Sequence, residues 1–183
     1  MASTLMKLQP NSVTQKDTTT EIALPTLYVM CGAPGSGKST WAKRELAVKP
    51  NTVYVSRDVI RLSVITDDEH YFSHEDEVYS IFITQITKSL EEGMNVIADA
   101  THLGHSARLK LVGCLNANGM TTKQYNIIFV QMGTSVEECI ERDSKREGRT
   151  HVTAPVVRRM YGYSKTPTMY EFPNVKGVWI INE

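Results

Sequence analysis

The hydrophobic and polar positions of the chain follow two alternating patterns. Short apolar runs rich in β-forming residues recur along the sequence, and such runs are typical of strands that are buried on both faces. The runs are TLYVMC at 26–31, TVYV at 52–55, MNVIA at 94–98, YNIIFVQM at 125–132 and GVWIIN at 177–182. The pattern therefore predicts about five strands.

The segments between these strands favour helices. They carry apolar residues at helical spacing, and Gly93 and Gly119 follow two of them as stop signals. Ser135 is a candidate N-cap for a third. The predicted helices cover 38–48, 74–92, 105–118, 135–146 and 155–163. Because strands alternate with helices, we predict an α/β fold with a central parallel sheet and helices on both faces.

Length and composition place these elements in one domain. Residues 1–24 are rich in Thr, Ser, Gln and Lys without apolar periodicity, so we expect a flexible tail before a single domain at 25–183. We find neither an apolar run of about 18 residues, which a membrane helix needs, nor the layout of a signal peptide. Three cysteines without a CxxC pair favour reduced thiols, and we expect a cytoplasmic protein.

The charges are balanced overall but unevenly distributed. A net charge of zero argues against a broad basic surface. Six Lys or Arg residues nevertheless fall between Arg142 and Arg159, and six acidic residues fall within 67–77. The distribution predicts a local basic site at most.

A glycine-rich motif follows the first predicted strand directly. The stretch GAPGSGKST at 32–40 matches G-x-x-x-x-G-K-[ST], in which glycines turn the backbone so that its N–H groups surround a phosphate. Lys38 would contact the β- and γ-phosphates of ATP, and the Ser39 hydroxyl would ligate Mg²⁺. The predicted nucleotide-binding residues are Gly32, Ala33, Pro34, Gly35, Ser36, Gly37, Lys38, Ser39 and Thr40.

Other motifs narrow the class of nucleotide-binding protein. The chain has no N-K-x-D motif for guanine, and the third strand ends in VIADATH with the single acid Asp99 rather than paired acids. These features favour a small phosphotransferase. Asp99 is a candidate for the metal, through water, or for the acceptor, and capping of the following loop is the structural alternative.

The stretch VSRDVIR at 55–61 places charged residues just after the second strand. The phosphate-binding loop follows the first strand, so both lie at the same sheet edge, where ligands of α/β proteins bind. Asp58 is a candidate general base for an acceptor hydroxyl, and Arg61, three residues on, could hold an acceptor phosphate. The alternative is a surface ion pair, and we interpret Arg57 as structural.

A second charged stretch, ERDSKREGR at 141–149, is a candidate lid. Arg142 and Arg146 are four apart and would share a helix face, from which arginines can neutralise a transferring phosphoryl group. A solvated charged helix is the alternative. We interpret His102 and His105 as surface loop residues and Cys31 as a small buried side chain.

These motifs occur in a characteristic order. From 26 to 168 the chain resembles the phage-type polynucleotide 5′-hydroxyl kinases, and zeta-toxin-like kinases share much of this framework. The resemblance implies a P-loop kinase fold with a small helical lid. It also implies that Asp58 is the general base, that Arg61 contacts the acceptor's 3′-phosphate, and that Arg142 and Arg146 engage the nucleotide phosphates. His102 departs from the family, which often has Asn there.

The resemblance implies a kinase that transfers the γ-phosphate of ATP to a 5′-hydroxyl end of DNA or RNA, as in nucleic acid repair. We expect no obligate protein partner. One alternative is a kinase of the same fold that acts on a nucleoside, a nucleotide sugar or a hydroxymethylated base in DNA. Another is a nucleotide-binding regulator with little chemistry.

Overall fold

The computed structural model describes residues 23–148 and 151–182. Residues 1–22 of the predicted tail therefore lie outside the described part of the chain. The strands are β1 (Thr26–Cys31), β2 (Thr52–Ser56), β3 (Asn95–Asp99), β4 (Asn126–Met132) and β5 (Val175–Ile181). The helices are α1 (Lys38–Val48), α2 (Arg57–Val64), α3 (Glu75–Glu91), α4 (His105–Ala117), α5 (Val136–Ser144) and α6 (Ala154–Gly162). Among the described helices, none is both long and apolar enough to cross a membrane.

The strands form one parallel sheet in the order β2-β3-β1-β4-β5. This arrangement confirms the predicted α/β fold class. Parallel neighbours require crossover connections, which the helices provide. The carboxyl ends of β1, β2 and β3 consequently lie side by side, and the chain leaves them at Cys31, Ser56 and Asp99.

Side chains that alternate along β1 belong to two separate cores. Leu27 and Val29 pack in the larger core with Phe82 of α3. Tyr28 and Met30 point to the opposite face and pack with Trp41 of α1. Successive strand residues face opposite sides of a sheet, so both faces of β1 are covered. This explains why the strand sequence is continuously apolar.

A buried ion pair fastens α4 to the segment before β5. The Arg108 side chain is 1% exposed and that of Glu171 is 6% exposed. Arg108 Nη2 and Nε donate to the Glu171 carboxylate at 2.6 and 2.7 Å, and Nη1 donates to the His102 carbonyl at 3.0 Å. Such a fully partnered guanidinium tolerates burial, but the loss of its carboxylate would leave an unpaired charge in the core.

We expect Glu171→Gln to lower the free energy of unfolding by roughly 3–5 kcal/mol at neutral pH. Burial alone would raise the pKa of Glu171, but Arg108 outweighs it and holds that pKa below the ordinary 4.5. The stabilisation is therefore present above pH 4.5 and is lost as the pH falls through the lowered value. Urea unfolding at several pH values measures the effect. The exposed Glu91→Gln is the matched control, and equal stability of the two variants would contradict this role.

Candidate active site

The loop between β1 and α1 has the backbone of a phosphate cradle. Gly35 and Gly37 have positive φ angles of 78° and 91°, which side chains with a Cβ rarely adopt. A Cβ at Gly35 would also collide with the carbonyl oxygen of Cys139 in α5. The Thr134 hydroxyl donates to the Ser36 carbonyl at 2.9 Å. The loop therefore passes closely beneath α5 and turns into the N-terminus of α1, which favours an anion.

The Lys38 ammonium lies inside this loop. Its Nζ donates to the Ala33 carbonyl at 2.8 Å. Desolvation lowers the pKa of Lys38, while the charges of Asp99 and Asp58 act in the opposite direction. A phosphate that entered the loop would add a further negative charge beside this ammonium and stabilise its protonated form.

Ser39 and Asp99 meet at the edge of the sheet. The Asp99 side chain is buried at the end of β3, and its Oδ2 accepts from Ser39 Oγ at 2.7 Å. The same oxygen accepts from the Tyr54 hydroxyl of β2 at 2.6 Å. Burial, followed by the charge of Asp99, raises the pKa of Tyr54 to about 12, so Tyr54 stays a donor at neutral pH. This pair of oxygen ligands suits Mg²⁺, which is usually bound by few protein groups together with phosphates and water.

Asp58 lies in the first turn of α2. None of the predicted helices covered this position, but α2 begins directly after β2, and its N-cap Ser56 accepts from the Val59 N–H. The Asp58 side chain is 67% exposed. Its Oδ1 accepts from Arg61 Nη1 at 2.5 Å and from the Tyr71 hydroxyl at 3.1 Å. The carboxylate is thus fixed on one side and open on the other.

Arg61 is buried against an acidic partner. Its side chain is 6% exposed, and Nε donates to Glu75 Oε1 at 2.6 Å. Arg57 Nη2 donates to the other Glu75 oxygen, also at 2.6 Å. Burial alone would raise the pKa of Glu75, but Arg61 and then Arg57 outweigh it and hold that pKa low. Glu75 therefore stays ionised and neutralises positive charge on this side of the site.

The candidate lid differs from its predicted form. Helix α5 ends at Ser144, two residues earlier than expected, so Arg142 and Arg146 do not share a helix face. The chain turns here because the buried Asp143 accepts from the Val152 N–H at 2.7 Å and its carbonyl accepts from the Arg146 N–H at 2.9 Å. Arg142 remains on α5, 4.0 Å from Glu138. Arg149 of the same stretch lies outside the described residues.

A cleft of about 220 Å³ connects these groups. The residues that line it come from the phosphate-binding loop and the start of α1, from α2, from the segment before α3 and its first residue, from the end of β3 and the loop after it, and from the lid, the segment before α6 and α6 itself. They are Pro34, Lys38, Ser39, Arg57, Asp58, Arg61, Tyr71, Phe72, Glu75, Asp99, Ala100, Thr101, Arg146, Val152 and Met160. The structure thus brings most of the predicted side chains together, whereas Arg142 is not among those that line the cleft.

Several residues at the site were not singled out from the sequence, among them Tyr71, Phe72 and Glu75, which line the cleft, and Tyr54, which holds Asp99. Tyr54 lies on β2, two positions before Ser56. The feature that could have indicated it is its hydroxyl group, which is polar although the residue lies between two valines of the strand. Tyr71 and Phe72 belong to the segment between α2 and α3, where adjacent aromatic residues interrupt an acidic stretch, and Glu75 is the first residue of α3. Their positions depend on how that segment folds back onto α2.

The interpretation of His102 as a surface residue is wrong. His102 is buried, and its Nδ1 lies 3.0 Å from the Met30 carbonyl oxygen. Desolvation lowers the pKa of His102 to about 4, which keeps the ring neutral at physiological pH. The loop after β3 passes under the neighbouring strand and carries this side chain inward. His105 is exposed and Cys31 is buried, as expected.

The fold and the cleft together define a class of protein. A parallel sheet with a phosphate-binding loop after β1, a Ser–Asp pair at the sheet edge and a helical element over the loop is a P-loop kinase. A family model described as an AAA domain (AAA_33) matches residues 27–167. The chain belongs to that family.

Solved structures with the same fold include two chains from protein complexes. One, described as "Structure of Pnkp1/Rnl/Hen1 complex", is 30% identical with a TM-score of 0.56 over 66% of this chain and 39% of that chain. Another, described as the Pnkp1/Rnl/Hen1 RNA repair complex, is 27% identical with a TM-score of 0.66 over 82% and 46%. This chain thus spans less than half the length of either.

A third structure resembles this chain over most of both lengths. It is a sugar kinase from Janibacter sp., 17% identical with a TM-score of 0.56, and the match covers 86% of this chain and 84% of that one. At this identity the similarity shows a shared fold.

Proposed function

We propose that the protein is an ATP-dependent kinase that phosphorylates the 5′-hydroxyl end of a polynucleotide. The observation that carries the proposal is the position of Asp58. Its open carboxylate lines the same cleft as Lys38 and Ser39 of the phosphate-binding loop. A base on one side and a phosphate cradle on the other are what transfer of a phosphoryl group to a hydroxyl needs.

The nucleotide would bind through the loop and the lid. The N–H groups of the loop and Lys38 would hold the β- and γ-phosphates, and Arg146 would add positive charge from the lid side of the cleft. Arg142 does not line the cleft, so its role at the same phosphates rests on the family resemblance alone. Ser39 and Asp99 would hold Mg²⁺, which neutralises charge on the β- and γ-oxygens when bound.

Asp58 would act on the acceptor. Its free carboxylate oxygen would orient the 5′-hydroxyl and take its proton while the hydroxyl oxygen attacks the γ-phosphorus. The new O–P bond forms as the bond between the γ-phosphorus and the β–γ bridging oxygen breaks, and ADP leaves. Arg61 would hold Asp58 in place. The family resemblance also implies that Arg61 contacts an acceptor phosphate, in addition to its bonds with Glu75 and Asp58.

Two findings support a polynucleotide acceptor. The ordered motifs around Asp58, Asp99 and Arg142 are those of polynucleotide 5′-hydroxyl kinases. The chains that are 30% and 27% identical both come from structures described as a Pnkp1/Rnl/Hen1 complex. The description of the second calls it an RNA repair complex. Together they favour a nucleic acid end over a small alcohol.

A small hydroxyl compound is the second candidate acceptor. The observation in its favour is the acidity of the acceptor side, where Glu75 lines the cleft beside Asp58 within a segment of six carboxylates. Negative charge repels the phosphates of a long strand but not a nucleoside or a sugar. The fold shared with a sugar kinase is consistent with this alternative.

An acceptor screen distinguishes the two candidates. The protein is incubated with γ-labelled ATP and Mg²⁺ together with single-stranded DNA, RNA, duplex ends, nucleosides and sugars. We expect label on the 5′-hydroxyl oligonucleotides and little on the small compounds. Efficient labelling of a nucleoside or a sugar, with none on any oligonucleotide, would favour the second candidate.

Tyr54 provides a test of the proposed magnesium site. Tyr54→Phe removes one of the two hydroxyl groups that hold Asp99 Oδ2, and the loss of such a supporting group typically costs about 10–100-fold in metal affinity or activity. We expect the Mg²⁺ concentration for half-maximal transfer to rise by about that factor. Tyr170→Phe, at an almost fully exposed position, is the control. An unchanged Mg²⁺ requirement in Tyr54→Phe would exclude this role.

A further inference from the structure

We infer that Tyr71 and Phe72 form a stacking surface for the nucleobase of the acceptor's terminal nucleotide. This pair, hereafter the aromatic wall, lies in the cleft beside Asp58. The inference rests on the proposed function and adds to it a site that selects acceptors carrying a base.

The aromatic wall is an apolar surface of the cleft, and neither of its residues belongs to one of the hydrophobic cores. The Phe72 side chain is 55% exposed although it lines the cleft. The two rings are in edge contact, with centroids 4.9 Å apart and planes at 80°. The centroid of the His70 ring lies 5.9 Å from that of Phe72, and the exposed part of the Phe72 ring is accessible to a flat ligand. Stacking of bases on such rings is a general mode of single-strand recognition.

The aromatic wall is fixed relative to the proposed base. The Tyr71 hydroxyl donates to Asp58 Oδ1 at 3.1 Å. The Arg61 guanidinium lies 4.7 Å from the Tyr71 centroid and 5.2 Å from the Phe72 centroid, and Glu75 and Asp58 hold it in turn. In a nucleotide the base is separated from the 5′-oxygen by one sugar ring. A 5′-hydroxyl at Asp58 thus leaves its base within reach of rings that are already ordered.

The charges around the aromatic wall favour a base over a phosphate. Acidic residues precede it at 67–69 and follow it at 75–77, and the Arg61 guanidinium that contacts both rings is itself paired with Glu75 and Asp58. Phe72 also lines a second, open concavity whose other residues include Glu75, Asp76 and Glu77. Phosphates would be repelled there, whereas an uncharged aromatic base would not. The polynucleotide backbone would accordingly leave the cleft on another side, with only its terminal nucleotide on the aromatic wall.

The test compares two acceptors that differ only in the terminal base. One is a 5′-hydroxyl oligonucleotide, and the other carries an abasic sugar, with its 5′-hydroxyl, at the first position. We expect wild-type kcat/KM to be about 5–150-fold higher for the first, the range that stacking of one base provides. Phe72→Ala should remove most of this preference, because it should lower kcat/KM for the base-containing acceptor far more than for the abasic one. Phe72→Trp should retain the preference.

A binding measurement separates failure of this inference from failure of the proposed function. In Phe72→Trp, the fluorescence of the new indole should be quenched by the base-containing oligonucleotide and not by the abasic one. Equal wild-type transfer to both acceptors would overturn the inference and leave the polynucleotide kinase intact. Absence of transfer to any oligonucleotide would overturn the proposed function. Indole fluorescence that responds equally to both strands would overturn the aromatic wall as a base site.

Discussion

Asp58→Asn is expected to reduce kcat for phosphoryl transfer by about 10²–10⁴-fold, the usual contribution of a general base. The amide has nearly the same shape as the carboxylate but cannot take the proton of an acceptor hydroxyl. Affinity for ATP should stay close to that of the wild type, because Asp58 lies on the acceptor side of the cleft, on α2 rather than on the phosphate-binding loop. Single-turnover transfer and equilibrium ATP binding measure the two effects separately.

The change at Asp58 also weakens an ion pair, since Arg61 Nη1 lies 2.5 Å from Oδ1. Asp76→Asn, which removes an exposed carboxylate outside the cleft lining, is the matched control and should transfer at the wild-type rate. Urea unfolding of both variants shows whether the fold is intact. A folded Asp58→Asn protein that retains the wild-type rate would exclude Asp58 as the base. It would also favour a nucleotide-binding regulator if its cellular function were intact.

Lys38→Met should weaken ATP binding and reduce transfer by roughly 10²–10³-fold, the usual cost of removing one donor that stabilises transition-state charge. Desolvation lowers the pKa of Lys38, so the free protein loses this positive charge at a lower pH than the ordinary 10.5. ATP affinity of the wild type should therefore decrease as the pH rises, already below 10.5. Calorimetric titration with ATP across this range measures both the affinity and the proton uptake that accompanies binding.

Lys43→Met is the control for this charge, because Lys43 is exposed on the same helix. It should bind ATP like the wild type at every pH. Wild-type affinity in Lys38→Met, together with weaker binding in Lys43→Met, would exclude Lys38 as the lysine that contacts the phosphates of ATP.

The fold was predictable because its strands are buried on both faces. Runs such as TLYVMC supply residues to two cores at once, so they are almost continuously apolar, and Gly93 and Gly119 follow two of the helices between the strands. The structure confirms the five strands, their parallel order and the helices on both faces. Of the described helices, the predicted set lacked only α2, which has eight residues and follows β2 with no loop between them.

The candidate site was predictable where its residues follow strand ends. Lys38 follows β1, Asp58 follows β2, and Asp99 is the last residue of β3. The parallel sheet places these strand ends side by side and so brings the three side chains together. Residues that depend on loop folding were not predictable. Arg146 enters the cleft because the buried Asp143 ends α5, and Glu75 reaches Arg61 across fourteen positions of sequence. No local pattern encodes such contacts.

The most direct test of the central claim uses one oligonucleotide in two forms. Wild-type protein is mixed with γ-labelled ATP, Mg²⁺ and either a 5′-hydroxyl strand or the same strand with a 5′-phosphate, and the products are digested to locate the label. The account predicts label only on the 5′-terminal nucleotide of the hydroxyl form. Label on neither strand, or equal label on both, would contradict it.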